Sequence, residues 1–267
     1  MPNVKAFLER VCPVPYLALR SWRERHALDR VFASITGPTG FAVRSGPFQG
    51  MLYPREIVTP ERLLQNSVVP KLLGCYEAEL HGAIEQALTR RYAKVINIGC
   101  AEGYYAVGLA RRMPSTSVFA FDSEPLARRL CEEMARANGV SERVHVRGEC
   151  TVETLRTLVS DRNLVVCDCE GCERDLLDPG LLPGLAACDV IVELHDCVDP
   201  SISGTIRQRF APTHDVTELT KVKRDPSAYP PLKGVNLYQQ RLAVTEFRWG
   251  PLEWAFLSAK HPGDRAC

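Results

Sequence analysis

The sequence predicts an α/β fold: a doubly wound, mostly parallel, seven-stranded sheet with a small N-terminal cap of helices and a hairpin. Three observations lead there. From Lys94 onward, short apolar runs alternate with helical patterns, which is the signature of parallel strands joined by crossover helices. The first of these runs, VINIG, turns through the glycine loop GCAEG into a helical stretch. The chain has 267 residues, 45% of them hydrophobic and 24% charged, which suits one such soluble domain.

Each element has its own signal. In residues 1–36, Val4, Phe7, Leu8 and Val11 recur at helical spacing, so short helices are expected. The run Arg20, Arg23, Arg25 reads as a solvated helix face. Residues 37–60 are rich in Gly and Pro, and Phe41–Val43 and Gln49–Tyr53 read as two short strands around a Ser-Gly-Pro turn. These parts make a cap over residues 1–70, with the main domain at 71–267. From Lys71, KLLGCYEAELHGAIEQALTRRY carries Leu72, Leu73, Tyr76, Leu80, Ile84 and Leu88 at a helical period, so one helix is expected. Strand and helix then alternate: VINIG, YYAVGLARRM, VFAFD, PLARRLCEEMARANG, VHVRG, TVETLRTLV, NLVVCDCEG, LLPGLAAC, DVIVELHD, SISGTIRQRF and THDVTELTKV, with LEWAFLSAK as a seventh strand. Residues 223–251, with Pro226, Pro230 and Pro231, form a long insertion before that strand. An insertion of this length is expected to be a lid over an acceptor, with Tyr229, Asn236, Tyr238 and Arg248 as its candidate residues.

Composition narrows the function. Lys and Arg total 33 and Asp and Glu 32, for a net charge of +1, so no single-signed field draws the chain to nucleic acid or a membrane surface. The N-terminus lacks a signal-peptide pattern and no apolar run is long enough for a membrane span. The 11 cysteines are scattered, several within apolar strands. Free thiols in a reducing cytoplasm are expected. Cys167, Cys169 and Cys172 lie close together, but no second cluster completes a zinc set, so no metal site is assigned there.

The loop Asn97-Ile-Gly99-Cys-Ala-Glu-Gly103 separates two cofactor classes. A dinucleotide fold wants G-x-G-x-x-G. Here Ala101 and Tyr104 occupy the second and third glycine positions, and a bulky Tyr104 opposes close helix–strand packing. S-adenosylmethionine has no pyrophosphate and needs less room. It asks for a carboxylate after the second strand to accept from the ribose hydroxyls, which Asp122 supplies. It asks for polar groups after the third strand to read adenine, and Glu149 and Thr151 stand there. It asks for a carboxylate after the fourth, and Asp168 qualifies. Asp122 can also cap the helix that follows it.

VINIGCAEGYY, VFAFDSEP, CDCEGCERDLLDP and VIVELHD together resemble a class I S-adenosylmethionine-dependent methyltransferase over residues 90–200. The phrase Asp168-Cys-Glu170-Gly171-Cys-Glu173, with Glu193 and His195 on the fifth strand, is similar to the FkbM-type branch. That branch commonly carries Asp-x-Glu-Gly-x-Glu and is associated with O-methylation of small metabolites and sugars. Asn97 departs from the class, many members of which carry an acid there; Glu102 would replace the charge.

The resemblance implies a Rossmann-like methyltransferase fold, S-adenosylmethionine as cofactor and a small-molecule acceptor, without nucleic-acid or membrane partners. Asn97, Gly99, Ala101, Glu102, Gly103, Tyr104, Asp122, Glu149 and Asp168 are the expected cofactor residues. Asp168, Glu193 and His195 are the expected catalytic residues. His195 is suited to general base chemistry near neutral pH. Glu193 and His195 alternate along an extended strand and so share a face. Asp168, Glu193 and His195 also have the ligand types for a divalent ion, although no metal is assigned. Glu170 and Asp196 lie at the same strand ends. Alternatives are a binding protein that keeps the fold without activity, and a methyltransferase acting on nitrogen or on a macromolecule. A homodimer is compatible with all of them.

Overall fold

The computed structural model describes residues 13–36, 41–55, 57–58, 67–159, 162–246 and 253–260. The sequence-predicted positions Val4, Phe7, Leu8, Val11 and Arg248 lie outside them, as do the side chains of Arg20, Arg23 and Arg25.

A seven-stranded sheet organises the chain in the order β3-β2-β1-β4-β5-β7-β6. The strands are β1 (Lys94–Ile98), β2 (Ser117–Phe121), β3 (Val144–Arg147), β4 (Leu164–Cys167), β5 (Asp189–Leu194), β6 (His214–Leu219) and β7 (Glu253–Ala259). The first five pair in parallel, and β7 runs antiparallel between β5 and β6. An antiparallel neighbour needs no crossover helix, so the path from β6 to β7 is free to carry the insertion. The result is the α/β, Rossmann-like methyltransferase fold that the sequence predicts.

The strands β1 and β4 are buried throughout or nearly so, and read as continuous apolar runs because helices cover both faces. Alternation sends Ile96 and Ile98 to one core, with Phe121, Leu155, Leu177, Ile206 and Phe210. Val95 goes to the other core, with Val107, Met134 and Trp254. Leu28, Val31, Phe48 and Leu72 belong to that second core as well. The N-terminal segment therefore shares an apolar core with the sheet.

Three expectations change. The N-terminal helical region is one 24-residue helix, α1 (Pro13–Thr36), over its described part. The hairpin contracts to a single bridge, Ala42 opposite Leu52. The helix expected from Lys71 is broken into α2 (Val68–Leu73), a 3-10 turn (Ala78–Leu80) and α3 (His81–Leu88). Gly74 stops α2 in a left-handed conformation, φ +78°, and a Cβ there would lie 1.9 Å from the Ser45 carbonyl oxygen. Glu77 is left-handed too, at φ 45°. The apolar period survives these breaks because the buried apolar residues of all three pieces enter one core.

The remaining helices are α4 (Tyr104–Arg112), α5 (Pro125–Ala137), α6 (Val152–Leu158), α7 (Glu173–Leu176), α8 (Ile202–Phe210) and α9 (Leu237–Ala243). In the insertion, two 3-10 turns precede α9, which packs on α1. Asn236 caps α9 through a reciprocal bond with Gln239. Arg224 pins the segment: it is buried, donates to the Cys75 carbonyl at 2.7 Å and pairs with Glu79 at 3.0 Å and Glu246 at 2.5 Å.

Candidate active site

Doubly wound sheets bind ligands where the strand order reverses, at the carboxyl ends of the strands. That point lies between β1 and β4 here. The glycine loop after β1 is fastened to both neighbours. The N–H groups of Gly99 and Cys100 donate to the Phe121 carbonyl at 2.9 Å each, and Asp168 N–H donates to the Ile98 carbonyl at 2.9 Å. Gly99 has φ +77°, and a Cβ would sit 1.5 Å from the Asp168 carbonyl oxygen, so no other residue fits. Ala101 adopts φ 46° without being glycine. Its N–H donates to Asp122 Oδ2 at 2.8 Å, which offsets the strain. Asp122 Oδ1 accepts from Glu124 N–H at 2.9 Å. The carboxylate thus caps the loop and opens the next helix together.

Beside this loop is a cavity of about 650 Å³. Ile98, Gly99, Ala101, Asp122, Glu149, Cys150, Thr151, Asp168, Cys169 and Glu170 line it, with Phe121, Val152 and Leu176 as apolar walls. Of the expected cofactor residues, Gly99, Ala101, Asp122, Glu149 and Asp168 meet there. Thr151 lines the cavity and also accepts from Thr154 N–H as the α6 cap.

Asn97, Glu102, Gly103 and Tyr104 are not among its lining residues. Strand alternation turns Asn97 to the face opposite Ile98, where it is buried and Nδ2 donates to the Val166 carbonyl at 3.3 Å. Glu102 is buried beneath the loop, where it accepts from Lys71 at 2.5 Å and from Tyr53 at 3.3 Å. Tyr104 is buried edge-on to Phe48 and Tyr76. Gly103 ends the loop as the N-cap of α4, pressed against Cys131.

At the Asp168 end stands a group of titratable side chains, of which His195, Glu173 and Glu193 are buried and Glu170 is exposed. His195 follows β5 and is 2% exposed. Its Nδ1 lies 2.7 Å from Glu173 Oε1. Its Nε2 lies 3.4 Å from Glu170, 3.7 Å from Asp168 and 3.8 Å from Glu193. Glu173 is fully buried and also accepts from the N–H groups of Cys169 and Gly171 at 3.2 Å each. Left-handed Glu170 and Gly171 bend the chain back so that this is possible. Burial works against ionised Glu173, but the His195 contact and the backbone donors outweigh it and hold the carboxyl below its usual range. An ionised Glu173 accepts, so the Nδ1 of His195 carries the proton. Burial pulls His195 down, and Glu173 with the surrounding carboxylates more than reverses this, leaving it above the ordinary imidazole range.

Burial pushes Asp168 up to about 6, and pushes Glu193 up to about 12 with help from the charges of Asp168 and Glu77. Glu193 is therefore a neutral acid at pH 7, bonded to Asp168. Asp168 Oδ1 is buried with no hydrogen-bond partner among the described residues. Ligand atoms of Asp168, Glu193 and His195 lie within 4.8 Å of one another, a spacing able to hold a metal ion.

Other candidates are occupied elsewhere. Asp196 accepts from Ser203 N–H at 2.9 Å. His214 lies at the opposite end of the sheet, bonded to the Cys188 carbonyl at 2.7 Å. Two residues outside the expected set join the site. Glu173 is part of the Asp-x-Glu-Gly-x-Glu phrase and opens α7. Glu77, fully buried and accepting from Tyr105 Oη, carried no sequence signal.

No family model matches the sequence, and no curated protein matches it. Among solved structures, an O-methyltransferase of Klebsiella pneumoniae described as putative is 14% identical, over 74% of this chain and 89% of that one, with a TM-score of 0.48. An rRNA methylase from Streptococcus thermophilus is 10% identical, over 68% and 97%, with a TM-score of 0.48. An O-methyltransferase from Streptomyces achromogenes, in complex with SAM, is 15% identical, over 74% and 87%, with a TM-score of 0.47. Among the described residues no helix is long and apolar enough to cross a membrane.

Proposed function

We propose that this chain is an S-adenosylmethionine-dependent methyltransferase of FkbM type, acting on a hydroxyl of a small metabolite or sugar. One observation carries the reading: Asp122 and Asp168 both line the cavity, and the buried His195–Glu173 pair stands directly behind Asp168. The cofactor fits the donor set. Asp122 keeps lone pairs beyond its two backbone contacts for a pair of ribose hydroxyls. Phe121, Val152 and Leu176 give flat apolar cover for adenine, and Thr151 with Glu149 borders its polar edge. When bound, the cofactor supplies an activated methyl group.

The chain's own residues then have two tasks. Asp168 Oδ1, without a donor of its own, orients the acceptor hydroxyl. His195, held by Glu173 through Nδ1, offers Nε2 to take the hydroxyl proton. Neutral Glu193 donates to Asp168, which keeps the crevice from gathering a second negative charge.

Calorimetric titration with S-adenosylmethionine, S-adenosylhomocysteine and NAD tests the cofactor. We expect one site for the two sulfur compounds, none for NAD, and a large loss in Asp122→Ala. A folded protein that binds neither sulfur compound refutes the reading.

A second reading has a specific observation in its favour, the mutual spacing of Asp168, Glu193 and His195. In it the three hold a divalent ion that acidifies the hydroxyl in place of the imidazole. Activity abolished by EDTA and restored by Mg²⁺ or Mn²⁺ supports this route; activity indifferent to EDTA supports His195.

A further inference from the structure

The opposite end of the sheet carries a groove of about 930 Å³ at the starts of β1, β4, β5 and β6. Arg90, Arg91, Arg162 and Lys260 line it, with Asp215 as the one carboxylate among the lining residues. Arg90 is paired with Asp189 and Lys260 lies 3.8 Å from Asp215, so Arg91 and Arg162 carry the local excess of positive charge. Two features show that it is built. Arg90 is held at the floor by fully buried Asp189 at 2.7 Å, and Asp189 is itself fixed by Tyr92 Oη at 2.6 Å and Ala259 N–H at 2.9 Å. Arg162 has a buried Nε with no acceptor among the described residues.

We infer that this groove binds a phosphate-bearing small molecule of about nucleotide size. Three guanidinium groups suit the geometry of phosphate oxygens better than ammonium groups do. Thr89 and Ser258 place hydroxyls in the same groove. Its volume falls within the usual range for a small-ligand site. The near-zero charge of the rest of the chain gives a long polyanion no track beyond it. No histidine or thiol lines the groove, so it binds without chemistry of its own. The length of a strand, roughly 15–20 Å, separates it from the crevice. This inference stands or falls apart from the proposed methyl transfer.

The test is calorimetric titration of the full chain with sodium tripolyphosphate and, separately, with a single-stranded RNA decamer, at near-physiological salt. One tripolyphosphate per chain is expected, weakened about tenfold or more in Arg91→Gln/Arg162→Gln. The charge-matched double variant Arg136→Gln/Arg156→Gln, on exposed positions of α5 and α6 away from the groove, should bind as the wild type does. Lys260→Gln, at an exposed position, gives a second readout should Arg162→Gln fail to fold. Absence of saturable tripolyphosphate binding, equal weakening in both double variants, or RNA binding that tripolyphosphate does not displace would overturn the inference.

Discussion

The carboxyl and amino ends of the sheet are built from the same strands yet carry opposite charge. At the carboxyl end, Asp168, Glu193, Glu173 and Glu170 crowd around one histidine. At the amino end, Arg90, Arg91, Arg162 and Lys260 share one groove. At the acidic end Glu173, Glu193 and His195 are buried, so the groups perturb one another strongly: Glu193 is neutral and Asp168 is shifted toward neutral pH. The basic end is open to water, and its charges are screened. Burial, more than sign, decides which end is tuned for proton transfer. A net charge of +1 conceals both poles.

That comparison is broken first at His195. With a hydroxylated acceptor found by screening, His195→Asn should lower kcat by about 10²–10⁴-fold while S-adenosylmethionine affinity stays unchanged. The raised imidazole sets the sign of the pH dependence: the base is lost on protonation, so kcat/KM should rise with pH through a midpoint above the ordinary histidine value. A flat profile, or full activity in the variant, removes His195 as the base.

Next in size is Asp122→Ala. It removes both backbone caps of the glycine loop as well as the proposed ribose contact. Roughly 1.5–3 kcal/mol of cofactor binding should go, about 10–150-fold in Kd by calorimetry. Glu173→Gln acts through His195. Its kcat should fall by roughly tenfold, and the pH midpoint should move down, because the carboxylate that raises the imidazole is gone. A loss of kcat with an unmoved midpoint would assign Glu173 a purely structural role.

Glu193→Gln sharpens the contrast between buried and exposed charge. The folded state holds the Glu193 proton to about 12, whereas the unfolded chain releases it near the ordinary glutamate value of 4.5. Folding is therefore opposed increasingly as pH rises above the unfolded value. Glutamine mimics the neutral acid, so the variant's Tm should equal or exceed wild type, with the gap widening from pH 6 to pH 9 on thermal scans. A variant that melts well below wild type across that range contradicts a neutral Glu193. Arg91→Gln, at the exposed end, is the smallest effect: within about 0.5 kcal/mol of stability, with S-adenosylmethionine binding unmoved.

The strands were legible because each is an apolar run bounded by turn residues, and the helices between them keep a 3.6-residue period. The Lys71–Tyr92 stretch misled for the same reason. Its apolar period persists through Gly74 and Glu77, and contact with Ser45 fixes the break. Asn97 and Glu102 were read as cofactor groups from their places beside the glycines. One is turned by strand alternation to the far face, and the other is taken by Lys71. Lys71 lies on a helix whose docking no local pattern announces.

By itself, then, the sequence determined the order of strands and helices, the glycine loop after the first strand, and the carboxylates at the ends of the second and fourth strands. These are local matters of periodicity, backbone freedom and strand-end position. Only the tertiary structure decided that β7 enters antiparallel between β5 and β6. It alone joined Glu173 to His195, drew Glu77 and Tyr105 together, and gathered four cations at the far end. Those outcomes depend on burial and on residues distant in the chain, and a charged side chain's partner and protonation are set by what surrounds it in space.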